Sequence, residues 1–284
     1  MRLSTPALIA LAAAAAPAGA QDATNPVAAP PADAADVGGD RITVALGAAS
    51  VPEYEGSGSN EFIPAAAVVG RAYGLDFFTR GTQLYVDLAP DRPGVGTNLE
   101  VGPIAGVRLD RANRVDDRRV RALGKIDTAI ELGGFVGVSR TGVVTSDYDV
   151  LSARVGYLTD VSDTHGSFIV TPQVNYTTPL STRTLVSLGA SADYVGRGYG
   201  RTYFSVDGAG SVASGLPIYD ASRRGWRRMN FQFFAVQSLS GDLRRGFGVG
   251  AGVLYGRLLG RYKRSPIVED ADQWSAAAGV TYTF

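Results

Sequence analysis

The sequence predicts an all-β protein: a transmembrane antiparallel β-barrel of about twelve strands behind an N-terminal export signal. Three observations predict it. The last twelve residues alternate. Trp274, Ala276, Ala278, Val280, Tyr282 and Phe284 are apolar, whereas Gln273, Ser275, Ala277, Gly279, Thr281 and Thr283 are mostly small and polar. A strand turns successive side chains to opposite faces, so this is a strand with one oily and one wet side, long enough to cross a bilayer when tilted. From Arg41 onward the chain repeats such segments between clusters of Gly, Pro, Asn and Asp. No run of eighteen apolar residues exists, so helical spans are not expected. The competing reading of the last segment is an ordinary strand of a soluble sandwich.

The closing strand also sets an expectation about assembly. Its aromatic residues at both ends match the two interfacial girdles of a membrane barrel. A terminal Phe on an amphipathic strand resembles the recognition signal of bacterial outer-membrane barrels. Val280, Tyr282 and Phe284 are therefore the expected membrane-assembly signal.

The opposite end differs in kind. Arg2 supplies a positive start, Leu8 to Ala16 a short apolar core, and Ala18-Gly19-Ala20 a small-x-small cleavage site. Residues 1–20 are thus expected to be a signal peptide, and 21–40, rich in Ala, Pro and Asp, a disordered lead before a barrel over 41–284. The 284 residues include no Cys and carry zero formal net charge, which argues against a lipoprotein anchor and against nucleic acid as a partner. One His and no Cys offer no metal-ligand spacing, and no phosphate loop is present, so neither metal nor cofactor is expected.

The alternation predicts strands over 41–50, 61–71, 74–88, 98–108, 126–138, 143–158, 165–177, 183–194, 201–213, 226–239, 244–257 and 272–284. Gly81 could split 74–88 into a hairpin. That would give thirteen strands, and such barrels close with an even number and both ends in the periplasm. Gly81 is accordingly read as a bulge within one strand. On that count the connections 51–60, 89–97, 214–225 and 258–271 are extracellular, the turns at 72–73 and 240–243 periplasmic. The long, charged segment 109–125 then falls on the periplasmic side, where its length has no structural reason. In 244–257 the face made of Gly246, Gly248, Gly250, Gly252 and Gly256 suits a wall against which another element packs in the lumen.

Several constellations bear on chemistry. His165, Ser167 and Asn175 bring to mind a Ser–His–Asn lipase, which needs a base beside the serine and a group orienting that base. All three fall on the lumen face of 165–177, opposite Phe168, Val170 and Val174, and Asn175 lies roughly 27 Å along the strand from Ser167. A strand-start role for His165 is the better reading, and no catalytic residue is assigned. Glu131, Asp193 and Asp207, with Arg154 and Arg228, sit on lumen faces. They read as a salt-bridged interior, or alternatively as the selectivity ring of a pore. Arg118, Arg119 and Arg121 beside Asp116 and Asp117 read as a solvated loop. Arg223, Arg224, Arg227 and Arg228 read as an outer rim able to meet lipopolysaccharide phosphates.

Taken in order, short motifs carry a resemblance that spans about Ile42 to Phe284. They are Pro52-Glu53-Tyr54-Glu55-Gly56, Leu123-Gly124-Lys125-Ile126-Asp127, Glu131-Leu132-Gly133, His165-Gly166 and Ala192-Asp193-Tyr194. There follow Tyr203-Phe204-Ser205-Val206, Ser214-Gly215-Leu216-Pro217-Ile218-Tyr219-Asp220-Ala221, Tyr255-Gly256-Arg257-Leu258-Leu259 and Ser265-Pro266-Ile267-Val268. In these the chain resembles the MipA/OmpV family of outer-membrane proteins. It departs from the family at Arg261, Lys263 and Arg264, where small or acidic residues are usual. The resemblance implies a non-enzymatic outer-membrane barrel that holds a lytic transglycosylase near a penicillin-binding protein and is inserted by the outer-membrane assembly machinery. A narrow porin-like channel, or a surface-exposed stress-responsive barrel, is the alternative.

Overall fold

A computed structural model describes residues 40–90, 94–112 and 115–284. The expected signal peptide and nearly all of the expected lead lie outside these residues. Twelve antiparallel strands close into one barrel in the order β1-β12-β11-β10-β9-β8-β7-β6-β5-β4-β3-β2. They are β1 (Arg41–Pro52), β2 (Asn60–Ala72), β3 (Leu75–Arg80), β4 (Gln83–Asp87), β5 (Gly96–Arg108) and β6 (Ala129–Thr141). The second half comprises β7 (Val150–Asp160), β8 (Phe168–Pro179), β9 (Thr184–Val195), β10 (Gly225–Ser238), β11 (Gly246–Leu258) and β12 (Asp272–Thr283). Among the described residues four short helices lie in the connections: α1 (Arg118–Ala122), α2 (Arg197–Phe204), α3 (Gly208–Ser214) and α4 (Gly260–Lys263).

Closure follows from the surroundings of the wall. Leu46, Val136, Val155, Leu188, Phe231, Val253 and Val280 all stand exposed on the outer face. An apolar outer belt suits lipid, and lipid offers backbone groups no partner, so the sheet must meet itself. It does so where β1 pairs with β12 from Thr43↔Thr283 to Ser50↔Ala276. The Phe284 N–H donates to the Ile42 carbonyl (2.9 Å), which finishes the seam.

The strand total agrees with the sequence reading, but two of its segments do not. Gly81 is not a bulge. With φ 60° it turns the chain between β3 and β4, and Arg80 pairs with Gln83. Gly in the first central position, with no positive φ at Thr82, is the arrangement of a type II′ hairpin turn. The segment 201–213 is not a strand. It holds the end of α2 and most of α3, and α3 has its own start and stop signals: the Asp207 carboxylate accepts from the Gly210 N–H, and Gly215 ends it at φ 74°.

The missed hairpin and the false strand cancel in the count, but they invert the ends between them. The connection from β4 to β5 lies at the end carrying Arg41 and Phe284, along with 73–74, 142–149, 180–183 and 239–245. The long segment 109–128 lies at the opposite end, with 53–59, 161–167, 196–224 and 259–271. The strand expected over 143–158 also starts late, at Val150, because 142–149 forms a turn. The glycine face of β11 is filled from the neighbouring strand rather than by a separate element. Phe234 of β10 covers Gly250, and Arg228 covers Gly256.

Candidate functional site

The inward faces of β5, β6, β7, β9 and β10 carry buried charge, and the long connections fold back to meet it. In β5 and β6, alternation turns Arg108 and Glu131 inward. Arg108 grips Glu131 with Nε and Nη2 (2.8 and 3.0 Å). On the far wall a register shift in β10 between Trp226 and Arg228 turns two consecutive arginines inward. Arg227 donates to Asp193 of β9 (2.7 Å) and to Glu55 (2.6 Å), and Arg228 lies 3.7 Å from Glu55.

Tyr199 of α2 joins the two walls. Its hydroxyl accepts from Arg108 (3.2 Å) and from Arg227, and donates to Glu55 (3.2 Å). Both guanidinium groups also lie over its ring, 5.0 and 4.8 Å from the centroid. Burial pushes the Tyr199 phenol well above its ordinary pKa, against the pull of Arg108 and Arg227, so it remains a neutral donor. His165 completes this layer: Nε2 lies 3.0 Å from Glu131, and its ring meets Tyr199 edge-on. The Asp160 carboxylate holds the His165 and Gly166 backbone N–H groups (2.6 and 2.9 Å).

Three cations, Arg108, Arg227 and Arg228, thus face three carboxylates, Glu55, Glu131 and Asp193. All are nearly inaccessible: Arg108 is 2% exposed, Glu131 1%, Arg227 2% and Glu55 6%. A water-filled pore would leave such groups wet, whereas a buried, bidentate and mutually bonded set serves as a tie. Elsewhere in the barrel Arg154 pairs with Glu100 and lies over Phe78, while Arg80 spans from the β3–β4 hairpin to Gln173 (2.5 Å) and Ser191 (2.7 Å). In the lumen Phe78 stacks on Tyr85, centroids 4.8 Å apart, and Phe135 packs against Tyr85 at a tilt (5.4 Å).

Toward the long-connection end the filling is apolar. Tyr199, Tyr203, Phe204, Leu258 and Tyr262 form one cluster; Tyr54, Val120, Val206, Leu216 and Ile267 form another. Short polar links lock the connections together. Ser265 donates to the Phe204 carbonyl (2.6 Å), Tyr219 to that of Arg261 (2.7 Å), and Arg111 to that of Thr202 (2.9 Å). Burial pushes the Tyr203 phenol upward and the Tyr262 phenol up to about 12. A concavity of about 690 Å³ does exist, but its lining includes Leu99, Val136, Val155, Val174 and Phe231, so it opens on the lipid face of the wall.

Most residues singled out from the sequence gather in this plug. Pro52 ends β1, and Tyr54 donates to the Ile267 carbonyl (3.3 Å). Gly56, at φ 102°, takes the Gln273 amide oxygen on its N–H (3.0 Å) and receives the Glu269 N–H on its carbonyl (2.7 Å). Gly124, Gly166 and Gly215 hold positive φ at turns around the plug. Tyr203, Phe204, Leu258 and Ser265 are buried in it, and Pro266 is half-buried beside them. Tyr194 faces outward instead, edge-on to Trp226 (5.4 Å), and Asp127 is exposed.

The Ser–His–Asn trio is not assembled: His165 serves Glu131, and Asn175 accepts from Gln232 (3.1 Å). Asp207, expected in the lumen, is exposed as the α3 cap, because its segment is helical. Arg227 and Arg228 leave the expected rim for the interior, whereas Arg223 and Arg224 stay exposed. In the 109–128 segment Asp117 caps α1, and Arg119 links it to Glu269 (2.8 Å). Sequence reasoning missed Glu55, Arg108, Glu100, Arg80 and Tyr199. Alternation alone points Glu100 and Arg108 inward, but nothing local marks Tyr199.

A family model described as MltA-interacting protein MipA matches residues 44–284. The chain belongs to the MipA family. Nearly the whole barrel of this MipA-family chain falls within the match, from β1 through the closing strand. Curated proteins yield no match. Among solved structures, an outer membrane channel from Pseudomonas putida F1 is 13% identical, covering 88% of this chain and 97% of that one at a TM-score of 0.43. The outer membrane channel DcaP of Acinetobacter baumannii is 9% identical over 86% and 96%, at 0.39. An anion-selective porin from Comamonas acidovorans is 9% identical over 87% and 99%, at 0.36. Likeness at this level carries no functional argument.

Proposed function

We propose that this protein is a closed, non-enzymatic outer-membrane barrel that acts as an attachment scaffold for murein-processing enzymes. The observation that carries the reading is the burial of Glu55, Arg108, Glu131, Tyr199 and Arg227 in one bonded layer across the lumen. A diffusion channel needs wet walls; a scaffold needs a rigid body, and ties between opposite walls supply rigidity. The family's name points to MltA as the partner class, and the resemblance to a lytic transglycosylase held near a murein synthase. Short turns and both described chain ends share one end of the barrel, the periplasmic one by the usual asymmetry of such barrels. That end would meet the murein enzymes, and the plugged end would face outward.

The test pairs two measurements on the native barrel. Affinity purification from detergent-solubilised envelopes is expected to retain a murein hydrolase or synthase. Planar-bilayer recording is expected to show no conductance steps. Regular steps from the native barrel, with no murein enzyme retained, would replace this reading with the channel.

A further inference from the structure

The plugged end is divided by charge. Over β1 and β2 lie Glu53, Asp116, Asp117 and Glu269, and this side carries counter-ions of its own: Arg119, which bridges Asp117 and Glu269 (3.4 and 2.8 Å), and, in the same segment as Asp116 and Asp117, exposed Arg118, Arg121 and Lys125. Over β9 to β11 the balance reverses. The stretches 196–224 and 259–264 hold seven cations: Arg197, Arg201, Arg223, Arg224, Arg261, Lys263 and Arg264. They have two acids: Asp207 caps α3, and Asp220 holds the Ser222 hydroxyl and N–H (2.8 Å for the N–H), which together with the field of nearby Arg223 and Arg261 keeps its carboxyl below the usual range. Among the described residues none of the seven cations pairs with a carboxylate, and all but half-buried Arg261 are exposed.

These cations are held on one body. Arg197 and Arg201 are one turn apart on α2, on the face opposite buried Tyr199 and Tyr203. The Tyr262 hydroxyl of α4 donates to the Arg223 carbonyl (2.9 Å), and Tyr219 to that of Arg261 (2.7 Å). Directly below, on the lipid face, Tyr194 and Trp226 meet edge-on, and Tyr255 and Trp274 pack at 4.9 Å. Such aromatics mark the level where acyl chains give way to headgroups.

We infer that this basic crown is a docking surface for the phosphorylated lipid A headgroup of lipopolysaccharide. The occupant follows from charge and depth together. A fork of guanidinium donors matches phosphate oxygens, and the phosphates of an outer-leaflet glycolipid lie just above an aromatic girdle. The acyl chains of the same molecule then lie along Trp226, Phe231 and Val253, all exposed outward. The placement rests on the outward orientation proposed above, but binding itself does not.

The test uses the full barrel in phosphatidylcholine nanodiscs, titrated with rough-type lipopolysaccharide bearing both lipid A phosphates. Binding is expected to weaken with salt, and to fall about tenfold or more in the quadruple variant Arg223→Gln, Arg224→Gln, Lys263→Gln, Arg264→Gln. Arg197→Gln with Arg201→Gln, on another element, should act in the same direction, so one variant can decide if the other fails to assemble. Arg118→Gln with Arg121→Gln and Lys125→Gln, cations elsewhere at this end, should leave binding unchanged. Equal affinity for dephosphorylated lipid A overturns the inference, as does equal loss in the control variant. Displacement by millimolar inorganic phosphate at matched ionic strength would mark a free-anion site and likewise overturn it. Orientation is read separately. The chain has no Cys, so labelling of Val212→Cys on intact cells by an impermeant maleimide reports which way the crown faces.

Discussion

The seam between β1 and β12 and the hairpin of β3 and β4 are both pieces of one wall, yet they obey different rules. At the seam, small side chains pack inward and large ones face lipid: Ala45, Ala49, Ala277 and Thr281 are buried, Leu46 and Val280 exposed. In the hairpin the largest side chains go inward, where Phe78 stacks on Tyr85. The seam runs through eight successive register pairs, whereas β2 meets β3 over only four, from Val69↔Phe78 to Ala72↔Leu75. Alternation therefore identifies two faces everywhere, but which face is the lumen depends on what fills the lumen. Here the hairpin turns aromatic rings inward together with charge, since Arg154 lies over Phe78 and Arg80 is itself buried.

The largest effect expected is at the seam. A Lys on the lipid face costs about 2–4 kcal/mol near the bilayer midplane and less toward the interfaces. Ala278 stands midway along β12, Val280 lower and Tyr282 near the end. Assembled barrel, read as the heat-modifiable band on gels, should fall most for Ala278→Lys, less for Val280→Lys and least for Tyr282→Lys. Thr281→Val is the inward control. A Lys at position 281 would be a poor one, because Thr281 is itself packed over Gly248. Equal damage from Thr281→Val and Val280→Lys would reverse the assigned faces.

A smaller effect is expected at the hairpin, and there its sign is the point. Were Gly81 within a continuous strand, Val would suit it, as a β-branched residue. At φ 60° a β-branched residue is strained, by about 1–2 kcal/mol. Gly81→Val should lower the barrel's resistance to urea unfolding. Gly96→Ala, with open space around it and no positive φ, should change it little. Stabilisation by Gly81→Val would contradict the turn.

These contrasts explain what could be read from the sequence. Full-length strands were legible because lipid imposes one strict rule on them, and β12 follows it at every position. The plug was not legible as a plug. Its helices are at most eight residues long, too short for a helical period to stand out, and α2 carries Gly198 and Gly200, which weaken its helical signal further. The local signals were nonetheless present: Gly81-Thr82 for a turn, Asp207 and Gly215 for the two ends of α3. A rule of even strand number overrode the first of them. Parity constrains how many strands there are and says nothing about which segments they are. The charged layer was half legible. Glu131, Asp193, Arg154 and Arg228 follow from alternation. Arg227 joins them only through a register shift, and Glu55 and Tyr199 only through connections that fold back into the lumen.

The turn at 142–149 sharpens the same comparison with the smallest expected effect. Its start reads as strand, yet it does not extend the ladder, because one side chain takes the donors that a neighbouring strand would need. Asp149 accepts from the N–H groups of Val143 (2.6 Å), Val144 (2.8 Å) and Thr145 (2.5 Å), and from the Tyr176 hydroxyl (2.7 Å). Burial alone would raise this carboxyl's pKa. The backbone N–H groups and the Tyr176 hydroxyl outweigh burial and hold it well below the usual carboxylate range. A carboxyl depressed in the folded state adds stability that is complete above its unfolded pKa of about 3.9 and is lost as pH falls through the folded value. Hydrogen exchange at Val143, Val144 and Thr145, corrected for intrinsic rates, should thus show protection that is constant near neutrality and declines only in strong acid. In Asp149→Asn the amide has one acceptor oxygen for five donors, the Thr145 hydroxyl included, so protection should already be several-fold lower at neutral pH and should no longer depend on acidification. The barrel's heat-modifiable mobility should not change, since the ladders of β6 and β7 begin beyond the turn. Equal protection in the two proteins at neutral pH would remove Asp149 as the reason the ladder stops at Thr141.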